Sequence, residues 1–139
     1  LLERGYAALH DAALGRAALG GSLTGVFLGF GGSEFGQLLA TSPAGASVYA
    51  ATGASSSIAS GRLSYVLGLH GPCASYDTAC SSGLVASHGG TRGLQCAELA
   101  TALVVNAIQL VAHVHFRPFG GKEAWLMNLL QFCALVLTS

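Results

Sequence analysis

The sequence predicts an α/β sandwich, on three observations. Two short apolar runs, TGVFLGF (Thr24–Phe30) and LATALVV (Leu99–Val105), have the length and the glycine- and polar-bounded flanks of buried strands. Segments with helical periodicity lie before, between and beside them. No internal repeat or long low-complexity linker interrupts the 139 residues, so one layered domain fits better than a bundle or a barrel of hairpins.

The elements follow in order. Leu2, Tyr6, Leu9 and Ala13 recur at helical spacing and Gly15 comes where a helix would stop, which predicts an amphipathic helix over residues 1–14. Thr24–Phe30 is a buried strand, and the Gly-Gly-Ser after it a loop. Serines 55–57 mark a helix start, Ile58, Arg62, Tyr65 and Val66 keep its period, and a glycine-rich stop precedes Pro72. Cys73 to Asp77 reads as extended and Ser81 to Gln95 as helical. That helix should be weak, since Gly83, Gly89, Gly90 and Gly93 each cost about 1 kcal/mol relative to alanine in a helix interior. Leu99–Val105 supplies the next strand. Beyond it, Ile108, Leu110, Ala112, Val114 and Phe116 alternate as in a strand, and Trp125, Leu129, Phe132, Cys133 and Val136 recur as in a helix.

Composition narrows the function classes. Charged residues are 9% of the chain against roughly 25% in a typical soluble domain, and 52% of residues are hydrophobic. A chain with so little polar surface implies a larger buried structure or a partner surface. Six basic and six acidic residues cancel, which argues against nucleic acid and anionic membrane as partners. The four cysteines, Cys73, Cys80, Cys96 and Cys133, spell no C-x-x-C pair, and reduced thiols in an intracellular compartment are the simplest expectation. The opening LLERGYAALHDAALG lacks the order of a secretory signal, and no apolar run reaches the roughly 20 residues of a bilayer span.

Chemistry concentrates in YDTACSSG, Tyr76 to Gly83. A strand, a sharp turn and a helix form a nucleophile elbow, in which the turn residue is thrust outward and the free N–H groups of the new helix face it. Those groups favour a thiolate over a thiol at a helix start. Small neighbours, Ala79, Ser81, Ser82 and Gly83, leave a substrate room to reach the sulfur of Cys80. Read alone, the same cysteine would be a buried small apolar residue. Asp77 reads as a helix-entry acid or a hydrogen-bonding turn residue, and no proton-transfer role is assigned to it. A second reading takes ACSSG as a variant hydrolase elbow, with Ser81 as nucleophile and Glu98 with His113 or His115 downstream.

Two further motifs carry less. His113 and His115 would share one face of a strand, but no third ligand is nearby and no metal site is expected. Gly29–Gly32 follows a strand without completing the dinucleotide pattern, because Glu34 stands in the last glycine's place.

DTACSS followed by LVA resembles the active-site segment of β-ketoacyl synthases, the condensing enzymes of polyketide and fatty-acid assembly. The resemblance extends upstream through SSSIASGRLSYVLGLHGPCASYDTACSS, GVFLGFGGSEFG and LLERGYAALHDAALG, and downstream to AELATALVVNA. It covers residues 1–108 as a partial N-terminal domain, closest in style to type I polyketide synthases, and leaves 109–139 as a divergent tail. It implies part of the N-terminal half of a thiolase-like α/β/α fold, with Cys80 as the acyl-accepting nucleophile. Also implied are acyl and malonyl groups carried as phosphopantetheine thioesters on an acyl carrier protein, no separate cofactor, and a homodimer in the complete enzyme. The family draws on two histidines and a lysine in segments after its nucleophile, and those segments do not occur here. This implies a fragment that can be acylated but cannot condense; a non-catalytic interaction remnant is the other expectation from that absence.

Overall fold

The computed structural model describes residues 1–31, 35–109 and 130–138. In chain order the elements are α1 (Leu2–Asp11), α2 (Arg16–Leu19), β1 (Thr24–Gly31), α3 (Phe35–Ala40), a 3-10 turn (Pro43–Ala46), α4 (Ala50–Ala54), α5 (Ser56–Leu67), β2 (Cys73–Tyr76), a second 3-10 turn (Ala79–Ser81), α6 (Ser82–Gln95), β3 (Thr101–Gln109) and β4 (Leu130–Thr138). The strands form one sheet in the order β2-β1-β3-β4. β1 runs parallel to both neighbours, and β4 is antiparallel to β3.

The central position of β1 explains its composition. Covered on both faces, its first six residues are all buried, so it reads as a continuous apolar run rather than an alternation. Val26 and Leu28 join Leu103 and Val105 in a core with Leu9, Leu19, Leu63 and Leu67 from the helices of one face and Leu69 from the segment after α5. Phe27, Ala102 and Val104 point the other way and pack with Ala86 and Leu99 on the α6 side. The chain leaves β1 for β2 on one side and then returns across β1 to β3 on the other. Right-handed crossovers in opposite directions put their helices on opposite faces, as found for α5 and α6. The result is the helix/sheet/helix layering that the sequence predicts.

Local chemistry ends α5 cleanly. Gly68 takes φ +67 in the left-handed region, which a side chain would strain, and its N–H closes onto the last turn at Ser64 and Tyr65. The buried hydroxyl of Ser60 accepts from Ser75 at 2.9 Å and ties α5 to β2.

Two expectations change. α6 is unbroken over its 14 residues, because its glycines form the face that lies on the sheet. A Cβ on Gly90 would come within 3.1 Å of Val104 Cγ2 and 3.2 Å of Ala102 Cβ, and one on Gly93 would collide with the buried Leu99. Close approach to the sheet offsets their poor helix propensity. Near the end of the chain, Phe132, Cys133 and Val136 lie in β4 rather than in a helix. An apolar run with few polar residues fits either period, and the open edge of β3 supplies hydrogen-bond partners that favour a strand. Trp125 and Leu129, like Leu110 to Phe116, lie outside the described residues.

Candidate active site

β2 ends at Tyr76, and the chain turns through Asp77 and Thr78 into Ala79, whose φ of +53 is left-handed for a residue with a Cβ. The 3-10 turn that follows, Ala79–Ser81, runs straight into α6. Cys80 is its middle residue and is exposed, not a buried apolar filler. The bend therefore does what an elbow does: it presents one side chain outward at the start of a helix. It does so at the carboxyl ends of parallel strands beside the point where connections diverge, the place where open α/β sheets hold ligands.

Side chains on both sides of Cys80 hold the bend. Ser82 is fully buried, and its hydroxyl accepts the Thr78 N–H at 2.8 Å. The same Oγ lies 2.8 Å from the carbonyl oxygens of Phe30 and Ala79, either of which can take its proton. One hydroxyl thus ties the end of β1 to both ends of the turn. Asp77 Oδ1 accepts the Ala79 N–H at 3.3 Å, which is the turn role expected of it. Ser81 Oγ sits 2.8 Å from the Thr78 carbonyl oxygen and 2.9 Å from Thr78 Oγ1. Gly29 makes room for all of this, since a Cβ there would stand 2.7 Å from backbone atoms of Ser82 and Gly83.

The hydrolase arrangement is not assembled among the described residues. The Ser81 hydroxyl is engaged within the turn, and Glu98 lies past the far end of α6, a helix of 14 residues, or about 21 Å at 1.5 Å per residue. His113 and His115 are outside the described residues, as is Glu34. His88 is exposed nearly two turns along α6, the His10 ring lies tilted at 6.3 Å from the Tyr6 ring on α1, and His70 follows α5. Among the described residues no group of three or more histidine, cysteine or acidic side chains is placed to hold a metal. Cys73 at the start of edge strand β2 and Cys96 just beyond α6 are exposed thiols as well.

Two cavities open on the α5 side of the sheet. One of about 80 Å³ is lined by Phe30, Ser56, Ser57, Ser75, Tyr76 and Asp77. The other, about 460 Å³, shares Phe30 and Ser56 with it and reaches Arg62 and Glu3. The small one touches the elbow through Asp77, three residues before Cys80. The sequence carries no signal for Ser82 and Gly29 as supports of this turn, because their contacts span 52 to 54 positions. No helix among the described residues is long and apolar enough to cross a membrane.

Residues 1–123 match the family model described as "Beta-ketoacyl synthase, N-terminal domain". The chain is 41% identical over 124 residues to the spectinabilin polyketide synthase system protein NorC of Streptomyces orinoci, covering 89% of this chain and 6% of that protein. It is 45% identical over 133 residues to a mycocerosic acid synthase-like polyketide synthase of Mycolicibacterium smegmatis, covering 96% of this chain and 6% of that one. Among solved structures, the ketosynthase from module 6 of the bacillaene synthase from Bacillus subtilis 168 superposes with a TM-score of 0.62 at 36% identity, covering 76% of this chain and 17% of that one. This similarity supplies the thiolase-like character of the layered sheet. An exposed cysteine elbow on such a sheet, matched from residue 1 to 123, leads to one assignment: the chain belongs to the β-ketoacyl synthase family, within its N-terminal domain.

Proposed function

We propose that Cys80 is the acyl-accepting nucleophile of a ketosynthase that extends polyketide or fatty-acyl chains. The observation that carries this reading is the exposed thiol at the left-handed turn between β2 and α6, at the carboxyl end of the parallel sheet. The acyl group arrives as a phosphopantetheine thioester on a carrier protein. The Cys80 thiolate attacks the thioester carbonyl, and the tetrahedral oxyanion collapses with loss of the carrier thiolate, which takes up a proton. A new Cys80 thioester replaces the old one, so no oxidant or further cofactor is needed. The N–H of Cys80 forms no hydrogen bond among the described residues and is a donor for that oxyanion.

Carbon–carbon bond formation is the family's second step, in which a malonyl thioester loses carbon dioxide and its carbanion attacks the acyl-cysteine. Covalent capture on Cys80 divides the overall reaction in two. The second half requires groups that polarise the malonyl carbonyl, and His10, His70 and His88 all stand away from the elbow. The reading thus assigns these residues the acyl-capture half and a homodimeric full-length enzyme the whole. Exposed free thiols at Cys73, Cys80 and Cys96 suit a reducing compartment.

The test incubates the chain with acetyl-pantetheine and malonyl-pantetheine thioesters and follows two masses. An acetyl adduct that is lost in Cys80→Ala, with no acetoacetyl product above that control, is the expected result. Acetoacetyl product dependent on Cys80 would show that the chain condenses unaided. Absence of both adduct and product would favour a non-catalytic interaction role.

A further inference from the structure

β3 changes character at Asn106. Residues two apart share a face of a strand, so Ala102, Val104 and Asn106 form one row beneath α6. The first two are buried with Phe27, Ala86 and Leu99, and the third place in the row holds a carboxamide. Asn106 pairs in register with Gly29. Directly over it is the first turn of α6: a Cβ on Gly83 would come 2.5 Å from Asn106 Nδ2 and 2.7 Å from its Cγ. The carboxamide is wedged where β1, β3 and the start of α6 converge, against the residue three places after Cys80. Its Oδ1 is buried and accepts no hydrogen bond among the described residues.

A buried amide oxygen without a donor costs about 1–3 kcal/mol, whereas an apolar side chain of the same size would continue the row at no such cost. Packing explains Ala102 and Val104 but not this residue. The acceptor lies beside the first turn of α6, which follows directly on the 3-10 turn and whose Ser82 N–H bonds the Ala79 carbonyl oxygen. Ser82, next to Gly83, ties that turn to Thr78 and Phe30, so a movement of the α6 start is passed to Cys80 through one hydroxyl.

We infer that Asn106 is a positioning residue for acyl transfer, its Oδ1 an acceptor that the start of α6 engages in the acylation-competent arrangement of Cys80. This rests on the acyl-transfer reading above. Misplacing a reacting group by about 1 Å can cost 10²-fold in rate, so a residue that sets the α6 start has leverage on the chemistry without touching substrate.

The experiment compares the full chain with Asn106→Leu, which keeps the volume and loses the acceptor, and Asn106→Asp, which keeps an oxygen there. The readouts are the rate of Cys80 acetylation against acetyl-pantetheine concentration, and the urea midpoint of unfolding. The expected result for Asn106→Leu is a maximal rate at least about tenfold lower, with the half-saturating concentration unchanged and the urea midpoint equal or higher. Asn106→Asp should acetylate within about threefold of the native chain, less than half a tenfold step in transition-state energy. Native-like acetylation of Asn106→Leu would overturn the inference. So would a rate loss matched by a lower urea midpoint, or an Asn106→Asp variant as slow as Asn106→Leu. A native chain that takes no acetyl group on Cys80 would instead overturn the acyl-transfer reading, and this inference with it.

Discussion

Ser82 supports more of the elbow than any other single side chain. It is fully buried, it takes the Thr78 N–H, and its proton reaches either Phe30 or Ala79. Replacing it with alanine removes, at a fully buried position, the acceptor of the Thr78 N–H and the donor to Phe30 or Ala79. Ser82→Ala should therefore lower stability by about 2 kcal/mol, read as a lower urea midpoint at unchanged m-value. Ser81 is chemically identical and adjacent, but it is exposed and water can replace its bonds to Thr78. Ser81→Ala should stay within about 0.5 kcal/mol of the native chain. Sequence alone offered Ser81 as an alternative nucleophile and gave Ser82 no structural role. Both are small residues just after a cysteine, and it is the contact to Phe30, 52 positions away, that ties Ser82 to the sheet.

Elements were legible where their periodicity was strong and their ends chemically marked. α5 starts after a run of serines and stops at a left-handed glycine, and β1 is a continuous apolar run because both faces are covered. α3, α4 and the 3-10 turn at Pro43–Ala46 left no trace in the reading. They are four to six residues long, none has a side-chain cap among those described, and Leu38, Val48 and Tyr49 are exposed. β4 was misread because an apolar stretch carries no face until a partner strand imposes one. α6 was read in the right place for an incomplete reason, since glycine propensity is a local quantity and the glycine face is a packing one. The same substitution should therefore act with opposite sign in different elements. Gly61, in α5, has nothing within 4 Å of an added Cβ, and Gly61→Ala should stabilise by about 0.5–1 kcal/mol through helix propensity. Gly29→Ala places its Cβ 2.7 Å from the backbone of Ser82 and Gly83, which cannot rotate away. It should destabilise by about 1–3 kcal/mol and slow acylation of Cys80 by lifting the α6 start. Urea midpoints of the two variants, together with the acetylation rate of Gly29→Ala, check both signs.

At the scale of the molecule, the parallel strands, their crossovers on opposite faces and the elbow at their carboxyl ends form one device. The strand order brings Gly29, Asn106 and the Ser82–Gly83 turn together from segments far apart in sequence, and the turn then exposes Cys80. The family resemblance singled out Cys80 as the expected nucleophile, whereas composition alone indicated only an apolar chain in need of covering surface. Exposure by itself does not distinguish Cys80, because Cys73 and Cys96 are exposed too. What distinguishes it is its place behind the left-handed Ala79 at a helix start, with an N–H that forms no hydrogen bond among the described residues. The most direct measurement is therefore a site competition: limiting acetyl-pantetheine is added to the folded chain, and peptide mapping compares the adducts on the cysteines. The account predicts an adduct on Cys80 that forms well before any on Cys73 or Cys96, with the preference abolished in urea. Equal or faster acetylation of Cys73 or Cys96 in the folded chain would contradict it.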